Sequence, residues 1–206
     1  MFELDHILWA AADLETAERS FEKATGVKPA LGGAHPGFGT RNSLASLSRG
    51  VYFEIISLDP AQGKRGDRAV EISALPLPQL LTFAMRGTAL DEFRKAAAKL
   101  DLEPSEPIAM TRTRNDGVVL SWRCVYLGNR EFHNVVPFVI DWEQSEHPSN
   151  TTPTGCSIKE FCALHPDPDR LKRIYDSLAI AVPVRRAPVP GLYGVLSTPK
   201  GDVVFT

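Results

Sequence analysis

The stretch from residue 4 to residue 26 restricts the fold of this chain most strongly, because it has the pattern of a strand that turns directly into a helix. Its apolar opening, residues 4–9, is long enough for a strand and too short for a helix. Asp13 suits a helix start and Gly26 suits a left-handed helix end. Between them, apolar residues recur at spacings of three and four: Leu14, Ala17, Phe21 and Ala24. The stretch predicts a buried strand, with Asp5 and His6 as its ionisable groups, followed by an amphipathic helix.

The same order of elements recurs twice further along the chain. The pattern strand–helix–strand–strand–strand can be laid over three segments: residues 4–58, 80–142 and 157–206. Residues 159–175 align with residues 5–21 without a gap, and the predicted helix caps Asp13 and Asp167 then coincide. Repetition of this kind is typical of stacked copies of one supersecondary unit, each of which needs a neighbour to bury its sheet face.

The segments between these units are predicted from their glycine, proline and polar content. A loop and two connections are expected at residues 31–40, 59–78 and 143–155. We therefore assign residues 1–150 to a pair of units, and residues 151–206 to a third unit packed on the same domain.

Three local signals refine the second unit. Thr88, with Asp91 three residues later, predicts a capping box at the start of its helix. The sequence Asn115-Asp116-Gly117 predicts a hairpin turn. Residues 135–142 predict a strand, and Pro137 indicates that it lies at an edge or is irregular.

Charge and hydropathy exclude several classes of partner. The 206 residues carry 23 Lys and Arg against 25 Asp and Glu, a formal charge of −2, so neither nucleic acid nor an anionic membrane is expected as a partner. The first residues are acidic where a secretory signal is basic, and no apolar run reaches membrane-spanning length. We expect a soluble cytoplasmic protein.

Taken together, these pieces resemble the glyoxalase-like domain family of the vicinal-oxygen-chelate superfamily, which includes glyoxalase I, extradiol dioxygenases and bleomycin-resistance proteins. The matching segments follow one order along the chain: residues 4–6, residues 35–40 with Asn42, Glu54, residues 114–117 followed by Trp122, residues 137–142, and His147 with Pro148. The resemblance implies an α+β fold. Repeated βαβββ units would form a cupped, mixed but mostly antiparallel sheet with the helices outside.

The resemblance also implies a divalent metal held at the centre of the cup by the first and fourth strands. It assigns His6 and Glu54 as ligands and catalytic residues, and Glu54 shares its strand face with Tyr52 and Ile56. Imidazole with carboxylate suits Fe, Mn, Zn or Ni. The second unit offers Thr82 in place of His6, and its fourth strand offers no ligand, so Glu160 of the third unit is the remaining candidate.

Other interpretations of His6 and Glu54 need no metal. A histidine among apolar strand residues is more often a hydrogen-bonded core histidine than a ligand. A buried carboxylate must be paired, and His6 is a suitable partner for Glu54. Such a pair could be a general base with an orienting carboxylate, or a purely structural contact.

Seven further residues are expected to bind substrate: His35, Thr40, Asn42, Arg114, Trp122, Trp142 and His147. The glycine-rich segment around His35 suits close approach to a polar ligand, or is simply a turn. Arg112, Arg114 and Arg123 form either a solvated strand face or a carboxylate clamp beside Trp122. Trp142 and His147 would line the mouth of the cup, although packing explains Trp142 equally well.

Three functions follow. The first is a metal-dependent isomerase, lyase or dioxygenase acting on a small polar molecule held in the cup. The second is a protein that binds and sequesters such a molecule without chemistry, as bleomycin-resistance proteins do. The third is a structural module. The expected partner is a small-molecule ligand or substrate, and a homodimer is a possible assembly.

Overall fold

The computed structural model describes residues 2–48, 50–74, 78–114, 116–128 and 132–206, so Asn115 of the predicted hairpin turn lies outside the described residues. Its α-helices are α1 Leu14–Thr25, α2 Asp67–Ser73, α3 Leu90–Ala98 and α4 Pro168–Ser177. Its strands are β1 Glu3–Ala10, β2 Ala30–His35, β3 Thr40–Ser46, β4 Tyr52–Leu58, β5 Gln79–Arg86, β6 Glu103–Pro104, β7 Ile108–Thr113, β8 Val119–Val125, β9 Leu127–Gly128, β10 Phe138–Asp141, β11 Ser157–His165, β12 Val184–Arg186, β13 Gly191–Thr198 and β14 Gly201–Phe205.

The main sheet has eight strands in the order β2-β3-β4-β1-β5-β10-β8-β7. In each half the first strand pairs parallel with the last, β1 with β4 and β5 with β10, and the other pairings are antiparallel. The first two units therefore have the same winding.

The third unit forms a separate sheet in the order β12-β11-β13-β14, with β6 and β9 as a small additional pair. Here the first strand, β11, lies between β12 and β13. The third unit thus repeats the order of elements along the chain but not the arrangement of strands seen in the first two.

The eight-stranded sheet curls until its edge strands, β2 and β7, face each other. A side-chain Cβ at Gly33 of β2 would lie 3.0 Å from the carbonyl oxygen of Thr113 in β7. Across the same gap, Arg112 Nη1 donates a 2.9 Å hydrogen bond to Asn42 Oδ1. The α+β fold with a cupped, mostly antiparallel sheet is confirmed.

Alternating side chains of the main sheet build two apolar clusters. Outward-facing residues such as Ile7, Phe53 and Phe83 pack with α1, α3, α4 and the second sheet. Inward-facing residues fill the cup: Leu8, Ala10, Ile56, Met110, Trp122, Phe138 and Ile140. Ile72 of α2 belongs to this inner cluster, so this short helix covers the cup while the other three lie outside.

The helix boundaries predicted from capping residues hold at both ends of α1. Asp13 accepts a hydrogen bond from the Thr16 amide, and Gly26 adopts the left-handed conformation with φ +79°. Asp167 caps α4 in the same way through the Arg170 amide. No described helix has the length and apolar content to cross a lipid bilayer.

Two segments that were predicted as loops contain regular secondary structure. Residues 30–35, assigned largely to a loop, form β2, because its glycines permit close packing and a bulge between Leu31 and Gly33. The polar connection at residues 59–78 contains α2, which starts without a side-chain cap.

Two predictions in the second unit were also wrong in detail. Helix α3 begins at Leu90 with Ala89 as N-cap, and no side chain caps it, so the capping box at Thr88 is not formed. The strand predicted for residues 135–142 is shortened to Phe138–Asp141 and follows a 3-10 helix at His133–Val135. Pro137, which has no amide hydrogen to donate, separates the two.

Candidate functional site

A cavity of about 70 Å³ lies inside the cup. Its polar lining comes from His6, His35, Thr40, Asn42, Glu54 and Arg112. Aromatic residues, among them Tyr52, Trp122 and Trp142, supply much of the remaining wall.

A β-bulge in β1 brings two consecutive ionisable residues together. Leu4 is paired with Met85 and His6 with Ala84, so Asp5 is an extra residue on the β1 side. In a regular strand Asp5 and His6 would point to opposite faces, whereas a bulge re-aims one of them. As a result, Asp5 Oδ1 accepts a 2.5 Å hydrogen bond from His6 Nδ1.

His6 lies between two carboxylates. Its Nε2 is 3.2 Å from Glu54 Oε2, and its ring stacks on Tyr52 with centroids 4.5 Å apart. Burial would lower the pKa of His6, but hydrogen bonds to Asp5 and Glu54 raise it to about 9. His6 is therefore a buried imidazolium at neutral pH.

Glu54 is held as a carboxylate by two donors. Asn42 Nδ2 donates to Glu54 Oε1 at 2.6 Å, and His6 faces the other oxygen. Burial would raise the pKa of Glu54, but the contacts with His6 and Asn42 lower it to about 2. The cup thus contains an ion pair whose two members are both buried.

Two residues that follow β10, Trp142 and His147, hold the second carboxylate oxygen of Asp5. Its Oδ2 accepts hydrogen bonds from Trp142 Nε1 at 3.0 Å and from His147 Nε2 at 2.9 Å. Against the effect of burial, the hydrogen bonds from His147 and His6 lower the pKa of Asp5 to about 2. Asp5 therefore orients His6 and keeps it charged.

Asn42 connects this network to His35 and Arg112. Its Nδ2 also lies 3.3 Å from His35 Nε2, which must be the acceptor because an amide nitrogen only donates. The proton of His35 is then on Nδ1, which donates to Thr40 Oγ1 at 2.8 Å. Burial lowers the pKa of His35 to about 4, in agreement with a neutral ring.

Most of the predicted site residues meet at the cup. The cavity lining contains six of them besides Glu54: His6, His35, Thr40, Asn42, Trp122 and Trp142. His147 lies behind the lining, against Asp5.

Two predicted site residues lie elsewhere. Arg114 extends outward and pairs with Asp116 and Glu146. Glu160 belongs to the second sheet, where it pairs with Arg185. The structure does not bring either residue to the cavity.

Sequence reasoning missed the roles of Asp5 and Arg112. The signal for Asp5 was its position beside His6, but strand alternation argued against a shared face. Arg112 is 3% exposed and lines the cup, and it was grouped with Arg114 as an alternative only. Strand β7 ends at Thr113, so Arg114 leaves the alternation that would have placed it beside Arg112.

The donor set does not fit the implied divalent metal. No cluster of three or more His, Cys, Asp or Glu suitable for a metal occurs among the described residues. His6 and Glu54 supply two ligands, whereas a catalytic metal site uses about three protein ligands and an open position. We therefore derive no chemistry through a metal.

The fold is thus a curled sheet built from two βαβββ units, with a buried ion pair inside. Residues 4–179 match the family model described as glyoxalase-like domain, and the chain belongs to this family. No curated protein sequence matches it.

Several solved structures share this fold at low sequence identity. A hypothetical protein from Staphylococcus aureus is 16% identical with a TM-score of 0.71, covering 100% of this chain and 85% of its own. Methylmalonyl-CoA epimerase from Mycobacterium tuberculosis is 17% identical with a TM-score of 0.51, covering 68% and 88%. A hypothetical protein from Bacillus halodurans C-125 is 13% identical with a TM-score of 0.53, covering 70% and 97%.

Proposed function

We propose that the cup binds a small, oxygen-bearing organic molecule and moves a proton on it by general acid–base catalysis without a metal. The observation that carries the proposal is the buried His6–Glu54 pair, at 3.2 Å, facing the cavity. When the surroundings of two neighbouring titratable groups push their pKa values apart, the group with the lower pKa is assigned as the base and the other as the acid. Here Glu54 would be the base and His6 the acid.

In this scheme Glu54 takes a proton from a carbon next to a carbonyl group. His6 stabilises the negative charge that develops on the carbonyl oxygen, by sharing the Nε2 proton that now faces Glu54. Asp5 keeps the imidazole charged and oriented through Nδ1. The proton then returns from Glu54 to carbon, so the reaction class is an isomerisation or epimerisation.

Substrate entry requires part of the cup to move. Small-molecule pockets usually enclose about 300–1,000 Å³, several times the cavity seen here. Arg68 of α2 and Phe38 of the β2–β3 turn line the cavity from the covering side. We expect α2 to shift outward when the substrate enters.

Non-catalytic binding is the second candidate function. One observation favours it: both members of the pair already have partners, and their pKa values, about 9 and about 2, are far from neutrality. Proton transfer is most efficient when these values lie near the working pH. A sequestering protein has no such requirement.

Hydrogen–deuterium exchange distinguishes the two functions. The protein is incubated in D₂O with pyruvate, acetoacetate or methylmalonyl-CoA, and loss of the proton next to the carbonyl is followed by NMR. Methylmalonyl-CoA is included because a protein of similar fold is named an epimerase of it. Exchange is expected in the wild type and should fall at least about a hundredfold in Glu54→Gln.

Glu143→Gln is the matched control, because Glu143 is an exposed carboxylate paired with Arg123 outside the cup. It should exchange at the wild-type rate. Saturable binding of a probe without exchange would reject the catalytic proposal in favour of sequestration. Equal exchange by wild type and Glu54→Gln would show that Glu54 is not the base.

A further inference from the structure

A second cavity, of about 210 Å³, lies where the edge strands β2 and β7 face each other. We call it the seam pocket. Its lining includes Gly32, Leu44, Arg112, Arg114, Pro148 and Thr152. The acid–base function proposed above does not use it.

Two buried polar side-chain atoms without hydrogen-bond partners belong to residues of this lining. They are Arg112 Nε and Thr152 Oγ1, the two such atoms found within the described ranges of the chain. Arg112 is 3% exposed, so water does not readily replace the missing partner. An unpaired buried donor on a charged group is costly, and such an atom calls for a specific explanation.

The charged groups around the pocket indicate which kind of hydrogen-bond partner these two atoms lack. Arg114 is already committed to Asp116 and Glu146. Arg112 donates to the neutral Asn42, and no ion pair links it to a carboxylate of the described residues. Its Nε–H only donates, so the missing partner must be an acceptor, and a guanidinium prefers an anionic oxygen.

The backbone of β2 makes room for this arrangement. A Cβ at Gly32 would lie 2.2 Å from Arg112 Nη1 and 2.2 Å from Asn42 Oδ1. At Gly33 it would lie 3.2 Å from Arg112 Cγ. Two consecutive glycines therefore allow the arginine side chain to cross the seam, where it lines both the seam pocket and the cup.

We infer that the seam pocket is a binding site for an anionic oxygen group, a carboxylate or a phosphate, held by Arg112 Nε and the hydroxyl of Thr152 after these two side chains rotate towards the pocket, because both atoms are enclosed in the structure. Binding there does not depend on the acid–base function proposed for His6 and Glu54. The two sites share Arg112, which contacts Glu54 through Asn42.

NMR of the arginine Nε–H groups tests this site directly. Inorganic phosphate and acetate are titrated separately into the full-length protein in a buffer free of both. We expect a saturable shift of the Arg112 Nε–H signal, accompanied by shifts at Gly32 and Thr152. The anion that binds more tightly identifies whether the natural ligand carries phosphate or carboxylate.

Thr152→Val removes the hydroxyl while keeping the shape of the side chain, and no hydrogen bond of the folded chain is lost. It should weaken anion binding about tenfold, as expected for one hydrogen bond to a charged group. Thr154→Val, an exposed threonine two residues later, is the control and should bind as the wild type does.

Three results would overturn the inference. One is the absence of a saturable shift at Arg112 with either anion. Another is equal affinity in Thr152→Val and the wild type. The last is a set of shifts confined to His6 and Glu54, which would place the anion in the cup. None of these depends on whether the cup is catalytic.

Discussion

His6 and its two carboxylate neighbours show how a strongly polar group is stabilised inside a sheet. Burying one unpaired charge costs several kcal/mol, but here Asp5 and Glu54 flank the imidazolium, and Trp142, His147 and Asn42 satisfy the carboxylates. Removing one partner would leave an uncompensated buried charge. This would destabilise the fold more than replacing the whole ion pair with apolar residues. The network is therefore stable only when it is complete.

The opposite pKa shifts of two buried histidines predict a stability maximum near pH 6.5. The pKa of His6 is raised to about 9, so its contribution to the free energy of unfolding is complete below pH 6.5 and is lost as the pH rises through 9. The pKa of His35 is lowered to about 4, so its contribution is complete above pH 6.5 and is lost as the pH falls towards 4. Each limb should amount to roughly 3 kcal/mol.

Urea unfolding between pH 4 and pH 9 measures both limbs. His35→Gln should flatten the acid limb, and His6→Asn should flatten the alkaline limb. Below pH 4 a further loss is expected as Asp5 and Glu54, whose pKa values are lowered to about 2, take up protons. A wild-type stability that is constant from pH 4 to pH 9 would contradict the assignment.

Strand alternation predicts the orientation of some site residues but not of others. His6 and Glu54 could be predicted because each follows the inward alternation of its strand and the resemblance gave both a role. Asp5 could not, since its orientation depends on a bulge that no local pattern announces. Arg112 and Arg114 have the same spacing as two inward residues, but the strand ends between them.

At the level of elements, β2 was the hardest to predict, because glycine content is typical of loops. In the structure its glycines are needed for contact across the seam rather than for a turn. Strands and helices with a regular apolar period, such as β1, α1 and α4, were predicted correctly. Helix α2 was not predicted. Its seven residues make fewer than two helical turns, too few for an apolar period to be recognised, and no side chain caps its start.

Gly32→Ala should destabilise the protein by about 1–3 kcal/mol. The new methyl group would overlap Arg112 Nη1 and Asn42 Oδ1, and the bond between them would have to break. Gly63→Ala is the control, because a Cβ at Gly63 meets no heavy atom within 4 Å. Equal free energies of unfolding for both variants, measured with urea, would show that Arg112 does not need this gap.

Helix α2 is expected to act as the cover of the cup through Ile72. This side chain is fully buried, so Ile72→Ala should lower the free energy of unfolding by about 2–4 kcal/mol and enlarge the inner cavity. Val70→Ala, on the exposed side of the same helix, should change it by less than about 0.5 kcal/mol. Similar losses in the two variants would mean that α2 does not pack on the cup.

For the whole molecule, the question is whether the two sheets fold together. Phe205 of β14 contacts Trp9, Phe21 and Phe53, with ring centroids 4.8–6.0 Å apart, and so joins the second sheet to the outer face of the first. The apolar cluster contains residues of both sheets. We therefore propose that residues 151–206, predicted as a third unit packed on the same domain, unfold together with the first two units as one cooperative unit.

Phe205→Ala tests that proposal. It should reduce the free energy of unfolding by about 3 kcal/mol or more, and tryptophan fluorescence, to which Trp122 and Trp142 in the cup contribute, should still report the same transition as far-UV circular dichroism. Val204→Ala, on the exposed side of β14, should have little effect. Two separate transitions, with the cup unchanged in Phe205→Ala, would show that the sheets unfold independently.

The extra residue in β1 has a consequence for comparing this chain with its relatives. Because Asp5 is inserted between two paired positions, the imidazole and its counter-ion come from adjacent codons on one strand rather than from two distant parts of the chain. A chain with an uninterrupted first strand and the same histidine would keep the carboxylate of β4 as its counter-ion and would leave Nδ1 of the ring without one. Insertion of a single residue thus adds a second carboxylate to the imidazole.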